Sequence, residues 1–84
     1  MTNISITKFY GADWCADCKR SREFLDTMGI PYNYIDIDKV ASAADEVSEI
    51  NNGLKSIPTI VFSNGEILVE PSNSQLASMF GLKA

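Results

Sequence analysis

The sequence predicts an α/β fold, a mixed four-stranded sheet flanked by three helices in the order β-α-β-α-β-β-α. Three observations predict it. From Ile4 to Ile50 the apolar residues recur first with a period of two, then with a helical period, and the two patterns alternate. Helix stops stand at Gly29 with Pro31, and again at Asn52-Gly53. Asn64-Gly65 is a two-residue hairpin signal, so the last two strands are antiparallel, whereas a strand–helix–strand crossover makes the first two parallel.

Ile4 to Tyr10 read as the first strand, with Ile4 and Ile6 alternating with Ser5 and Thr7 before Phe9 and Tyr10. Lys8 breaks the alternation. Gly11 to Asp13 form a loop. A helix follows from near Cys15 to Met28, with Cys18, Leu25 and Met28 on one side and Phe24 beside them. Lys19, Arg20, Arg22, Glu23 and Asp26 cover the other side. Tyr32 to Ile37 read as the second strand. Val40 to Ile50 form the second helix, with Val40, Ala44 and Val47 inward and either Asp36 or Asp38 available as its cap. Thr59 to Phe62 is a continuous apolar run, which suits a strand buried on both faces. Ile67 to Glu70 return after the hairpin and Pro71 breaks them. Ser72, Asn73 or Ser74 then caps a short helix through Leu76 and Phe80. Helices are expected on both faces of the sheet.

Eighty-four residues make one domain, expected to span residues 1–84 and to be monomeric. A chain this short hides roughly 60–65% of its unfolded surface, enough for one modest core. Its apolar content of 45% fits a globular protein. No apolar run approaches the ~18–20 residues that span a bilayer. The start, Met1 to Ser5, lacks the basic end and apolar core of a secretory leader, so the expected location is the cytoplasm. A net charge of −4 argues against nucleic acid and anionic membranes as partners.

Cys15 and Cys18 are the only cysteines. Two cysteines placed at random in such a chain fall three apart roughly once in forty tries, so the Cys-x-x-Cys spacing carries meaning. On the first turn of a helix it puts one sulfur at the end, near solvent, and the other one turn inside. The first can attack a disulfide, and the second can close on the first and release the product. The helix end, with its free N–H groups, favours a thiolate at Cys15. Trp14 is placed to shield one side of that sulfur and to offer a flat contact to a substrate. With no histidine and no further cysteine, one chain cannot supply a four-ligand zinc site, and no metal is expected.

Asp13 and Asp17 oppose thiolate formation at Cys15, and Lys19, Arg20 and Arg22 lie where they can offset them. Asp17 and Arg20 are therefore the expected tuning residues, while Arg22 reads as part of an ordinary solvated face. The run Ser56-Ile57-Pro58-Thr59 enters the apolar strand. A cis bond at Ile57–Pro58 would turn the Ile57 backbone toward the cysteines, where its N–H and C=O can pair with an extended substrate. About 5–6% of X–Pro bonds are cis, so the residues alone leave the isomer open.

Along essentially its whole length the chain resembles the glutaredoxin branch of the thioredoxin superfamily. The matching pieces are Phe9-Tyr10, Trp14-Cys15-x-x-Cys18, Tyr34-Ile35-Asp36-Ile37, Ser56-Ile57-Pro58-Thr59 before Ile60-Val61-Phe62, and Asn64-Gly65. The resemblance implies the thioredoxin fold, Cys15 as nucleophile, Cys18 as resolving thiol, and a cis Pro58 beside a substrate groove formed with Trp14, Ile57 and Thr59.

Two departures concern the co-substrate. Members that use glutathione usually carry a lysine where this chain has Ala12. They also carry Gly-Gly and an acid after the last strand, where this chain has Glu70-Pro71-Ser72. Val69-Glu70-Pro71-Ser72 and Trp14-Cys15 are similar to the mycoredoxins, although these more often have an aromatic residue in place of Asp17. The expected function is thus a thiol–disulfide oxidoreductase acting on oxidised or thiol-capped client proteins. No cofactor is expected to be bound, and the expected co-substrate is a low-molecular-weight thiol, mycothiol rather than glutathione. The alternative is a redoxin that donates electrons to ribonucleotide reductase and is itself reduced by a flavoprotein disulfide reductase of the thioredoxin reductase kind. The ending Met79-Phe80-Gly81-Leu82 lacks the Trp- and Phe-containing segment typical of those proteins. A non-catalytic iron–sulfur or redox-sensing module is a further alternative, against which Cys18 counts, since family members that hold clusters usually lack the second cysteine.

Overall fold

The computed structural model describes residues 4–82. Met1, Thr2 and Asn3, part of the start read above as lacking a leader, lie outside the described residues. Four strands and three helices follow in the order β1 (Ile6–Gly11), α1 (Ala16–Thr27), β2 (Tyr34–Asp36), α2 (Ala43–Ile50), β3 (Thr59–Phe62), β4 (Ile67–Val69) and α3 (Asn73–Met79). The sheet order is β2-β1-β3-β4, with β1 parallel to β2 and antiparallel to β3, and β3 antiparallel to β4. This is the mixed sheet expected from the sequence.

The two faces of the sheet hold separate cores, because successive strand residues point to opposite sides. Phe9, Ile60 and Phe62 face α1 and α3, where they pack with Cys18, Leu25 and Leu76. Tyr10 faces α2 and packs with Ala43 and Val47, with Val61 against them. Phe62 N–H donates to the Glu66 carbonyl at 2.9 Å across the Asn64-Gly65 turn, where Gly65 has φ +90°.

Several boundaries differ from the expectation, each for a local reason. The first strand starts at Ile6 and not at Ile4, and it includes Gly11, which pairs with Asp36 and is not in a loop. Its register shifts between Ile6 and Lys8, a bulge at Thr7 that turns both Thr7 and Lys8 outward. That bulge accounts for the broken alternation at Lys8. The second strand holds only Tyr34–Asp36 of the expected Tyr32 to Ile37. The second helix begins at Ala43 rather than Val40. Ser42 precedes it in the left-handed region, φ +67°, which shifts the helical phase, so Ala43 is buried in place of Ala44 and Val40 is exposed. Neither aspartate caps that helix. Asp36 Oδ1 accepts the Asp38 N–H at 2.8 Å and closes a turn instead. In α1, Ser21 is buried between Cys18 and Leu25, while Met28 is exposed. Of the three candidate caps for α3 the residue is Ser72, in a capping box with Gln75.

Two buried groups and one half-buried group set the alkaline limit of stability. Tyr10 is almost wholly buried and its hydroxyl donates to Glu46 Oε1 at 2.6 Å. Burial, with that carboxylate alongside, pushes its phenol up from 10.0 to about 12. Burial, with Asp36 nearby, does the same at Tyr34, to about 12. The Cys18 thiol rises from 9.0 to about 12, through burial first and its hydrogen bond with Cys15 second. The folded state therefore holds protons that the unfolded chain has released. Stability is whole below the unfolded values and falls as pH climbs toward about 12. Urea midpoints should be level up to about pH 8 and then decline, by at most ~1.4 kcal/mol per pH unit for each group. Tyr10→Phe should make the decline shallower. A stability that rises through this alkaline range would contradict the assignment.

Candidate active site

Gly11 is the last residue of β1, an inner strand of the sheet, and the chain turns through Ala12 to Trp14 into α1. Cys15 is the residue just before that helix, with extended backbone angles, φ −87° and ψ 113°. Its sulfur does the work of a capping oxygen, accepting the Cys18 N–H at 3.1 Å. Its own carbonyl accepts the Lys19 N–H at 3.1 Å, and its N–H donates to the Ala12 carbonyl at 3.2 Å. Cys15 Sγ thus stands at a helix start, where backbone donors and the helix dipole suit an anion. One turn on, Cys18 is wholly buried, and Cys15 is left with 7% exposure. The two sulfurs are free thiols.

The Ile57–Pro58 bond is cis. Ile57 carbonyl oxygen stands 4.0 Å from Cys15 Sγ, so the loop before β3 forms one wall beside the sulfur. Pro58 is buried, and its carbonyl accepts the Glu70 N–H at 2.8 Å, which ties this wall to the end of β4. Glu70 itself adopts φ +50°. Thr59 needs correcting as a groove residue. Its side chain is completely buried, its hydroxyl donates to the Ser56 carbonyl at 2.7 Å, and it accepts from Asn51 Nδ2 at 2.9 Å. The hydroxyl is used up inside, and Thr59 supports the wall from behind.

The charged neighbours pair differently from the expectation. Asp13 turns to Lys39, 3.1 Å away, and not to Lys19, Arg20 or Arg22. That ammonium holds the Asp13 carboxyl below the usual carboxylate range. Asp17 lies 3.6 Å from Arg20. Arg20 in turn donates to Asn73 Oδ1 and to the Pro71 carbonyl, the latter at 2.8 Å, and so joins α1 to the start of α3. Its guanidinium is occupied in this anchoring as much as in offsetting Asp17. Arg22, read from the sequence as part of a solvated face, is half-buried and lies 3.8 Å over the Tyr34 ring. Asp17, which stands between the two cysteines in the chain, lines with Arg20, Glu70, Pro71, Ser72 and Asn73 an open cavity of about 440 Å³; neither cysteine is among its lining residues.

Trp14 is 69% exposed, and its indole N–H donates to Asp38 Oδ2 at 2.7 Å. Asp38 belongs to the turn after β2, so this bond and the Asp13–Lys39 pair latch the cysteine loop to that turn. No sequence signal pointed to this role for Asp38. Asp38→Ala should free the indole while leaving the fold intact. Trp14 is the only tryptophan, so the emission of the whole protein reports on it. The expected result is a shifted emission maximum and lower anisotropy, with the thermal midpoint within a few degrees of the parent. An unmoved spectrum would show that the bond does not hold the ring in solution.

A sulfur at a helix start, a second sulfur one turn inside and a cis-proline wall define a thiol–disulfide oxidoreductase of the thioredoxin-like fold. The glutaredoxin family model matches residues 5–68, and the chain belongs to the glutaredoxin family. It is 34% identical over 71 residues to Mycoredoxin 1 of Corynebacterium glutamicum, covering 84% of each chain. It is 33% identical over 76 residues to a Mycobacterium tuberculosis protein named as a glutaredoxin, covering 90% of this chain and 89% of that one. Among solved structures it is similar to the glutaredoxin of Archaeoglobus fulgidus, with a TM-score of 0.74 and 26% identity over 95% of this chain and 87% of that one. A variant of the thioredoxin-like protein BC3987 has the same fold, with a TM-score of 0.78 at 24% identity over 99% of this chain and 100% of that one. No helix among the described residues is long and apolar enough to cross a membrane.

Proposed function

We propose that this protein reduces protein–mycothiol mixed disulfides, and protein disulfides, in the cytoplasm. Cys15 attacks the client's sulfur bond, and Cys18 resolves the bond so formed where a dithiol route is needed. An extended client lies along the Ile57–Pro58 wall with Trp14 as a flat flank. The observation that carries the choice of mycothiol is the composition of the cavity that runs from Asp17, between the cysteines in the chain, to the start of α3. Two carboxylates, Asp17 and Glu70, line it, and its one guanidinium, Arg20, is already engaged by Asn73, Pro71 and Asp17. Ala12, where a lysine would grip glutathione, is 1% exposed and apolar.

Glutathione carries two carboxylates, and such a wall repels them or leaves them unpaired. Each missing charge-assisted bond costs about 1.5–3 kcal/mol, so one loss alone weakens use by about tenfold or more. Mycothiol has a carboxyl-free sugar–inositol body that needs hydroxyl and amide partners. Ser72 and Asn73 line the cavity and are the candidates, whereas Thr59 is buried and Asp13 is paired with Lys39. The likeness to Mycoredoxin 1 supports the same choice.

The test is one coupled assay in which a single mixed-disulfide substrate is reduced through three donors. They are mycothiol with its reductase, glutathione with its reductase, and thioredoxin reductase. The expected result is turnover with mycothiol at least tenfold above that with glutathione. Equal rates at matched thiol concentration would defeat the proposal. Turnover with thioredoxin reductase alone would favour the ribonucleotide reductase donor instead.

A further inference from the structure

We infer that Gly11 is a positioning residue for the resolving thiol. Its missing Cβ is the space in which the Cys18 sulfur sits while the pair is reduced. The chain has 5 glycines. Gly29, Gly53, Gly65 and Gly81 all have positive φ and open space where a Cβ would stand. They are glycines for their backbone conformation. Gly11 is the opposite case. It lies in β1 without a positive φ, in a conformation open to any residue, and a Cβ there would meet Cys18 Sγ at 3.1 Å. The same atom would meet ring carbons of Tyr34 at 3.0 Å and Phe9 at 3.2 Å. Both rings belong to packed aromatic pairs, Phe9 with Tyr32 and Phe9 with Tyr34. Of these three neighbours the sulfur is the one whose place changes in the reaction.

The resolving step shows why the seat matters. The Cys18 thiol gives up its proton, and its sulfur bonds to the Cys15 sulfur. The bond from Cys15 to the client sulfur breaks, and the client leaves as a thiolate that takes up a proton. The two electrons of the dithiol pass to the client. Forming the new bond draws Cys18 Sγ toward Cys15 and off its seat. A methyl group at Gly11 thus crowds the reduced pair more than the oxidised pair. Gly11 favours the dithiol and so keeps the protein easier to reduce.

This rests on Cys18 being the resolving thiol, and the test separates the two claims. The Cys15–Cys18 couple of Gly11→Ala is equilibrated against a dithiothreitol couple and read by alkylation and mass spectrometry. The disulfide should be favoured about three- to tenfold over the parent, which is about 14–30 mV more negative. In a Cys18→Ser background, the same Gly11→Ala change should leave mixed-disulfide turnover within about twofold of Cys18→Ser alone. An unmoved or less negative potential overturns the inference, as does a more than twofold loss of mixed-disulfide turnover in the Cys18→Ser background. A parent protein that forms no Cys15–Cys18 disulfide overturns the resolving role and the inference together. If Gly11→Ala fails to fold, Gly11→Ala with Cys18→Ala decides. Recovery of the fold assigns the clash to the sulfur, and failure of both assigns it to the Tyr34 and Phe9 rings and overturns the inference.

Discussion

Cys15→Ser should reduce thiol–disulfide turnover to the uncatalysed background on every substrate. Cys18→Ser should keep measurable turnover on mixed disulfides with a small thiol and lose it on protein disulfides. The asymmetry comes from place, since both residues carry the same chemistry. Cys15 Sγ stands at the helix start, accepts the Cys18 N–H and has the Ile57 carbonyl as its neighbour. Cys18 Sγ is wholly buried, which pushes its thiol up to about 12, and it is not placed to meet a client before Cys15 does. A serine hydroxyl at Cys15 keeps the geometry but is a far weaker nucleophile than a thiolate and cannot form a disulfide at all. The measurement is steady-state turnover on two substrates, one mixed and one intramolecular. Equal loss in both variants on the mixed substrate would reverse the roles or make them equivalent.

Phe9→Ala should be the most damaging core substitution near the site. Phe9 is fully buried, with its ring 5.4 Å from that of Tyr32 and 5.8 Å from that of Tyr34. Removing a buried phenyl group costs about 3–5 kcal/mol, through lost transfer energy and the cavity left behind. A domain of this size is stable by about 4–13 kcal/mol in all. The variant should then be partly unfolded at 37 °C and unfold at much lower urea than the parent. Tyr32→Phe, which removes only a hydroxyl that donates to Asp26 and accepts from Arg22, is the mild control. A Phe9→Ala protein with an unchanged urea midpoint would show that the ring is not part of the cooperative core.

The cysteine pair, the proline before β3 and the hairpin turn were legible because each is written in consecutive residues. Their meaning needs no knowledge of distant neighbours. The strand and helix order was legible for the same reason. What escaped depends on residues that meet only after folding. The Trp14–Asp38 bond spans 24 positions, and Arg20 reaches Asn73 across 53. Neither pairing leaves a trace in periodicity. Thr59 shows a different failure. A hydroxyl beside a groove reads as a ligand contact until Asn51 and Ser56 are seen to use it from inside. In the second helix one left-handed residue, Ser42, moved the buried positions from Val40 and Ala44 to Ala43, because phase is lost wherever the backbone leaves the helical region. Gly11 reads as a loop residue from the sequence, since an isolated glycine after a strand commonly marks a turn. It is instead a strand residue kept small by what stands beside it.

The two outer strands of the sheet, Tyr34–Asp36 and Ile67–Val69, are each 3 residues long. The second stops where Glu70 leaves the extended region at φ +50° and Pro71 removes a donor. A rim of that length spans only ~10 Å, which gives a stray extended chain too short a template to grip. The short borders therefore leave little for a further strand to pair with on either side of the sheet.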